Sequence, residues 1–169
     1  MVANSTALIE NNDVRVEDLL EISFHKKKEI AFRAAWMLEY LMVNKPAKFV
    51  GHIPELLALL PDQKNHSALR HYTKIVSLLT TKNVNEVYQK VMESLDLEPV
   101  IEILFEWLVK PATPVAVKVH CMQSLANLAW RHDWIKNELL ETIDYLVDLE
   151  SVAFFARAKM VRKQLRRKK

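Results

Sequence analysis

The chain has 169 residues, half of them hydrophobic and 27% charged, with one Gly, six Pro, one Cys and a net charge of +3. One Gly, where average usage of ~7% would place roughly a dozen, excludes glycine-rich phosphate loops, dinucleotide fingerprints and most tight hairpin turns. What remains is an all-helical chain with enough apolar content for a single core.

The net charge hides a split. Residues 151–169 carry eight basic residues and no acid, so the first 150 residues hold 16 basic against 21 acidic residues, a balance of −5. The lone Cys121 cannot close an internal disulfide, which fits a reducing cytoplasm. Residues 1–13 are polar and read as an N-terminal tail, with neither the basic start nor the apolar run of a signal peptide. No apolar run approaches the ~18 residues of a membrane span.

From residue 14 onward, apolar residues recur at helical spacing. Val14, Leu19, Leu20 and Ile22 predict a short first helix. Ile30 to Val43 is apolar nearly all round, as in a helix held between neighbours. Phe49, Ile53, Leu56, Leu57 and Leu60 follow, then Leu69, Tyr72, Ile75, Val76 and Leu79. Two shorter stripes run Val84, Val87, Tyr88, Val91, Leu95 and Ile101, Leu104, Phe105, Leu108. Val115, Val119, Met122, Leu125, Ala126 and Ala129 form the next, then Ile135, Leu139, Ile143 and Leu146. Val152, Phe155, Ala158, Met160, Val161 and Leu165 close the series.

Proline marks the joints at Pro46, Pro61, Pro99, Pro111 and Pro114, where a missing N–H costs little. Pro54 falls near a helix start or at a break. Thr113-Pro114 reads as N-cap and first helical residue, with Asn83, Asp133 and Ser151 as further caps. The count is about nine helices.

Three segments align with one another. They open at Phe32-Arg33-Ala34-Ala35, Leu69-Arg70-His71-Tyr72 and Val117-Lys118-Val119-His120, and Ala156-Arg157-Ala158-Lys159 opens a fourth. Arg33, Arg70, Lys118 and Arg157 are 37, 48 and 39 residues apart, near the ~40–47-residue period of helical-pair repeats. An extra helix near 97–110 accounts for the long interval. In these openings, an apolar residue followed by Arg or Lys and then small residues, the chain resembles the HEAT-repeat family over residues 14–168. The resemblance implies an α-α superhelix of about four helical pairs, a single domain over 14–169 ending in a basic helix, with the second helix of each pair on the concave side. The physical need is the same: one amphipathic pair cannot cover its own apolar face, and stacked pairs bury a continuous core.

Charge is sorted by helix. The second helices, taken as 25–44, 66–82, 113–131 and 151–169, hold 17 basic residues and two acids, Glu29 and Glu39, while the rest holds 7 basic residues and 19 acids. Such a layer makes a basic concave face suited to an acidic peptide or a nucleic acid. Arg33, Arg70, Lys74, Lys118, Arg131 and Arg157 are its candidate contacts, with Arg162, Lys163, Arg166 and Arg167 on the tail. The ordinary role for Arg33, Arg70, Lys118 and Arg157 is an internal ladder of ion pairs with neighbouring turns.

Catalytic patterns are lacking. The six His form no His-Glu-x-x-His and no i, i+4 pair, so no metal or other cofactor is expected. His120 and Cys121 are neighbours that point apart on a helix, and Cys121 reads as a small core residue. Trp36, Trp107, Trp130 and Trp134 alongside Arg33 and Arg131 resemble the concave surface of HEAT-like DNA alkylation-repair glycosylases, although core packing is the usual place for Trp. The helical lyases of the fumarase/adenylosuccinate lyase superfamily are similar only in helicity; the chain has no Ser-Ser pair and none of their Gly-Ser-Ser-x-Met-Pro-x-Lys-x-Asn loop. The expectation is a non-enzymatic, cytoplasmic scaffold that binds a protein or peptide, with nucleic acid as the alternative partner.

Overall fold

The apolar stripes become helices in the expected order across residues 14–166, the part of the chain that the computed structural model describes. Helix α1 spans Val16–Ile22 and α2 spans Lys28–Asn44. A bent arm follows: α3 (Pro46–Phe49), a 3-10 turn at Val50–His52, α4 (Ile53–Ala58) and a second 3-10 turn at Leu60–Asp62. Pro54 is the second residue of α4, where no N–H is needed. Then come α5 (His66–Leu79), α6 (Glu86–Ser94), α7 (Glu98–Val109), α8 (Val115–Leu128), α9 (Asp133–Leu146) and α10 (Val152–Arg166). With the arm counted as one, these are the nine helical segments expected, and no strand occurs among the described residues. The polar tail 1–13 and Arg167 lie outside the described residues.

Two layers result. The most extensive packing runs from α2 to α5, from α5 to α8 and from α8 to α10, so the second helices form one continuous row. Helix α1 backs α2, α7 backs α8, and α9 packs against α8 and α10. The expected extra helix is real: α6 and α7 together fill the interval between α5 and α8. A single core extends from Val16 to Leu165.

Buried polar groups tie the layers at defined points. The Ser23 hydroxyl lies 2.7 Å from the Tyr72 hydroxyl and donates to the Leu20 carbonyl, while Gln63 Nε2 donates to the Ser23 carbonyl at 3.0 Å. Burial pushes the Tyr72 phenol up to about 12, so it stays a neutral donor. Tyr88 in α6 reaches across to the Met42 carbonyl at 2.5 Å, fixing α6 behind the end of α2.

Helix starts differ from expectation by a residue or two. Pro114 itself is the N-cap of α8, and the buried Thr113 stands before it. The cap of α6 is Asn85 rather than Asn83, its side chain accepting from the Val87 amide. Asp133 is the first residue of α9, after His132. Ser151 does cap α10, accepting from the Phe154 amide at 3.5 Å. Asn65, not anticipated, caps α5 by accepting from the Ser67 and Ala68 amides.

The last helix keeps Ala158, Val161 and Leu165 of the expected stripe in the core, but Phe154 takes the place expected for Phe155. Phe154, Ala158, Val161 and Leu165 are buried, whereas Val152, Phe155 and Met160 are exposed. One residue turns a helix by about 100°, and two adjacent Phe residues leave that choice open in the sequence.

Candidate functional site

The second-helix row has one side on the core and one open side. Helical phase decides which residues reach the open side. On α5, Leu69, Tyr72, Val76 and Leu79 are buried, and Arg70 and Lys74 fall on the opposite face. On α8, His120, Gln123 and Asn127 share a stripe at i, i+3 and i+7, all half-buried. Arg157 and Gln164 of α10 lie beside them, and Phe32, Trp36, Glu39 and Tyr40 occupy the same side of α2.

These residues form a linked polar strip across four helices. Glu39 on α2 bonds His71 Nδ1 and Lys74 Nζ on α5, each at 2.5 Å. Burial alone would push the Glu39 carboxyl up. The hydrogen bonds and charge of His71 and Lys74 outweigh burial and hold it below the usual carboxylate range. Since a carboxylate only accepts, His71 Nδ1 carries the proton. Its other nitrogen, Nε2, is buried without a hydrogen-bond partner among the described residues, and the Phe32 ring lies 5.1 Å from the imidazole. Asn127 Nδ2 on α8 donates to the Ser77 carbonyl and the Thr80 hydroxyl of α5. Gln123 and Gln164 each donate to Asn127 Oδ1, and Gln123 also donates to Gln164 Oε1. Arg157 on α10 donates to Gln123 Oε1 at 3.1 Å.

His120 sits inside this strip. Burial pushes its imidazole down to about 4, helped by the charges of Lys74, Arg157 and Arg70 and opposed by Glu39. The imidazole is therefore neutral near pH 7. Three cations from two helices act on this one point.

Aromatic side chains flank the strip. Phe32 is 40% exposed, and Trp36 lies 5.9 Å from Tyr40, both half-buried. Trp130, 58% exposed, follows α8 with the Arg131 guanidinium over its ring. The usual core role holds for Trp107, which is buried, and in part for Trp36, which packs half-buried against the core. Trp134 is exposed among the first helices, stacked on Phe105.

The structure sorts the expected basic contacts into several roles. Lys118 is not a surface contact: it is 1% exposed and ion-paired with Glu150 at the turn before α10. Arg131 is drawn away as well, donating to the Met92 carbonyl in the last turn of α6. Lys74 is paired with Glu39, and Arg33 is exposed on α2 with an interaction of its own. Arg70 and Arg157 have no ion-pair partner among the described residues. The four aligned residues also sit at different positions from their helix starts. Lys118 is the fourth residue of its helix, Arg70 the fifth, and Arg33 and Arg157 the sixth. Lys118 shares the buried face of α8 with Val117, Cys121, Met122 and Leu125 and forms the expected ladder rung, whereas Arg70 and Arg33 are exposed and Arg157 half-buried.

The tail residues stand apart from the strip. Arg162 is ion-paired with Asp144 of α9, and Lys163 and Arg166 are exposed. With Phe155 and Lys159 they line a separate surface groove of about 640 Å³ along α10. Arg167 lies outside the described residues. Sequence reading missed Glu39, His71, His120, Gln123, Asn127 and Gln164. The spacing of His120, Gln123 and Asn127 along one side of α8 was the available signal.

Cys121 is buried, and burial pushes its thiol well above the ordinary range. No group of three His, Cys, Asp or Glu among the described residues could hold a metal ion. No helix among them is long and apolar enough to cross a membrane.

A family model described as a HEAT repeat domain matches residues 1–168 of the chain. Comparison with curated proteins and with solved structures finds no match.

Proposed function

The chain belongs to the HEAT-repeat family, and on that premise we propose that it is a non-enzymatic interaction scaffold that binds an acidic segment of a protein partner. The segment lies across the open, concave side of α2, α5, α8 and α10. The observation that carries this reading is the strip itself: exposed Phe32 and half-buried Trp36 and Tyr40 on α2, two guanidinium groups without carboxylate partners among the described residues, and side-chain amides on α8 and α10. Aromatic surface supplies apolar contact, amides bond to an extended backbone, and Arg selects carboxylates. HEAT repeats are a helical scaffold commonly used in protein interaction, and the lone buried Cys121 fits a reducing compartment such as the cytoplasm.

A nucleic acid suits the strip less well. Phosphate tracking needs a run of free cations, yet Lys118 is buried, Arg131 caps a helix, and Lys74 is already paired. The exposed Lys159, Lys163 and Arg166 of α10 keep that alternative open at a different surface.

Fluorescence anisotropy separates the two. Labelled Asp/Glu-rich peptides and labelled single- and double-stranded DNA and RNA are titrated with the full chain between about 50 and 200 mM salt. The scaffold reading predicts that peptide binding survives at the upper salt concentration and weakens on Trp36→Ala. Oligonucleotide binding that survives there and is lost with Arg70→Ala and Arg157→Ala would replace it with the nucleic-acid reading.

A further inference from the structure

We propose that the outer side of the α9–α10 hairpin is a self-complementary surface through which two copies of the chain pair about a two-fold axis. The surface is separate from the concave strip: Phe155 and Arg157 are two residues apart on α10 and so point about 200° apart. The proposal therefore stands without the scaffold reading.

Charge spacing carries the argument. Arg162 of α10 is ion-paired with Asp144 of α9, and Asp144 stays largely exposed, so the pair marks the surface seam between the two helices. Around Asp144, the exposed Glu141 and Asp148 stand three residues before it and four after. Around Arg162, the exposed Lys159 and Arg166 stand three residues before it and four after. Such spacing keeps side chains on one helix face, so an acidic and a basic stripe of equal pitch lie side by side. The basic stripe, with Lys163 and Phe155, lines the groove of about 640 Å³ along α10. Glu141, Asp148, Lys159 and Arg166 have no ion-pair partner among the described residues. Around the turn 147–151 that joins the helices, Tyr145, Leu149, Val152 and Phe155 are 69%, 66%, 85% and 49% exposed. Single exposed apolar residues are ordinary, but four around one turn form a patch.

The occupant that fits is a second copy. Packed helices stand about 8–10 Å apart, about one Debye length at physiological salt. An anionic polymer or membrane drawn to Lys159 and Arg166 is therefore repelled by the acidic stripe beside them, and a basic polymer drawn to Glu141 and Asp148 by the basic one. A partner must present both signs side by side, and the chain itself does. A two-fold axis running along α9 and α10, between them, sets each acidic stripe on the partner's basic stripe and each apolar turn on its equivalent. Two helices of 14 and 15 residues make a small interface, so the pairing is expected in the micromolar range. The concave strip of each copy stays open.

The experiment is sedimentation velocity of the full chain between about 1 and 300 µM, at about 50 and 150 mM salt. The chain is expected to pass from monomer to dimer within that range, at higher concentration in the higher salt. Two charge-reversed variants follow, Glu141→Lys with Asp148→Lys, and Lys159→Glu with Arg166→Glu. Each alone sets like charges across the axis and is expected to raise the dimer dissociation constant at least about tenfold. Mixed in equal amounts, the two set opposite charges across both halves and are expected to restore a one-to-one dimer. Phe155→Ala is expected to weaken the wild-type dimer with no change of charge. Circular dichroism confirms that each variant keeps its helices, and Glu141→Gln with Asp148→Asn replaces a reversal that loses them. A chain that stays monomeric throughout overturns the proposal. So does a dimer that neither reversal weakens, or one that the mixture fails to restore. A single-stranded oligonucleotide that binds the monomer, and is lost with Lys159→Glu and Arg166→Glu, also overturns it and assigns the basic stripe to nucleic acid.

Discussion

Truncating Phe154 to Ala is expected to destabilise the last helix by about 3–5 kcal/mol, the range for emptying a buried aromatic site. Phe154 has no exposed surface, and α10 stands at one end of the row, packed against α8 and α9. In a stacked-repeat protein, stability is a sum of local terms and nearest-neighbour interfaces. The loss should therefore stay local. Hydrogen exchange is expected to show α10 amides losing protection while α2 and α5 keep theirs. A uniform fall in protection along the chain would mean that the row unfolds as one unit instead.

Removing the carboxylate of Glu150 is the second large effect. Lys118 is 1% exposed, and Glu150 is its ion-pair partner. Glu150→Ala leaves a buried ammonium uncompensated, at a cost of about 3 kcal/mol or more. For a chain of this size that is a fall in Tm of about 6–12 °C. Replacing Lys118 by Met in the same chain removes the stranded charge and is expected to recover most of the loss. If Glu150→Ala changes the Tm by less than a degree, the rung contributes nothing and water reaches Lys118.

Both predictions concern parts of the chain that were unequally visible in the sequence. The order of helices was legible because one Gly and regular apolar spacing leave few alternatives, and the buried Phe49, Ile53, Leu56, Leu57 and Leu60 follow the expected stripe directly. Sorting of basic residues onto the second helices was legible too. What each one does was not. Lys118, Arg70 and Arg157 fall at similar places in aligned segments, but the buried face of each helix runs differently past them, so one reaches the core and two the open face. Helix starts depend on caps such as Asn65 and Asn85, whose competition with neighbouring polar residues is settled by tertiary contacts. In α10 the sequence placed Ala158, Val161 and Leu165 but not the choice between Phe154 and Phe155.

The candidate site was harder still. Glu39, His71 and Lys74 come from two helices 32 and 35 residues apart in sequence, and Gln123, Arg157 and Gln164 from another two. No local motif announces them, because the strip exists only once the second helices stand side by side. His120 shows the limit most clearly. As one of six isolated His residues it carries no signal in sequence, yet in the fold it lies under the influence of three cations.

The most direct test of the scaffold account is a ¹H–¹⁵N correlation spectrum of the full chain, titrated with an Asp/Glu-rich peptide. The indole of Trp36 and the side-chain amides of Gln123, Asn127 and Gln164 report on the open face, and the indole of Trp134 reports on the first-helix side. The account predicts shifts at Trp36, Gln123, Asn127 and Gln164 while Trp134 stays fixed. Shifts confined to Trp134, or to α10 between Lys159 and Arg166, would contradict it and move the binding surface off the second-helix row.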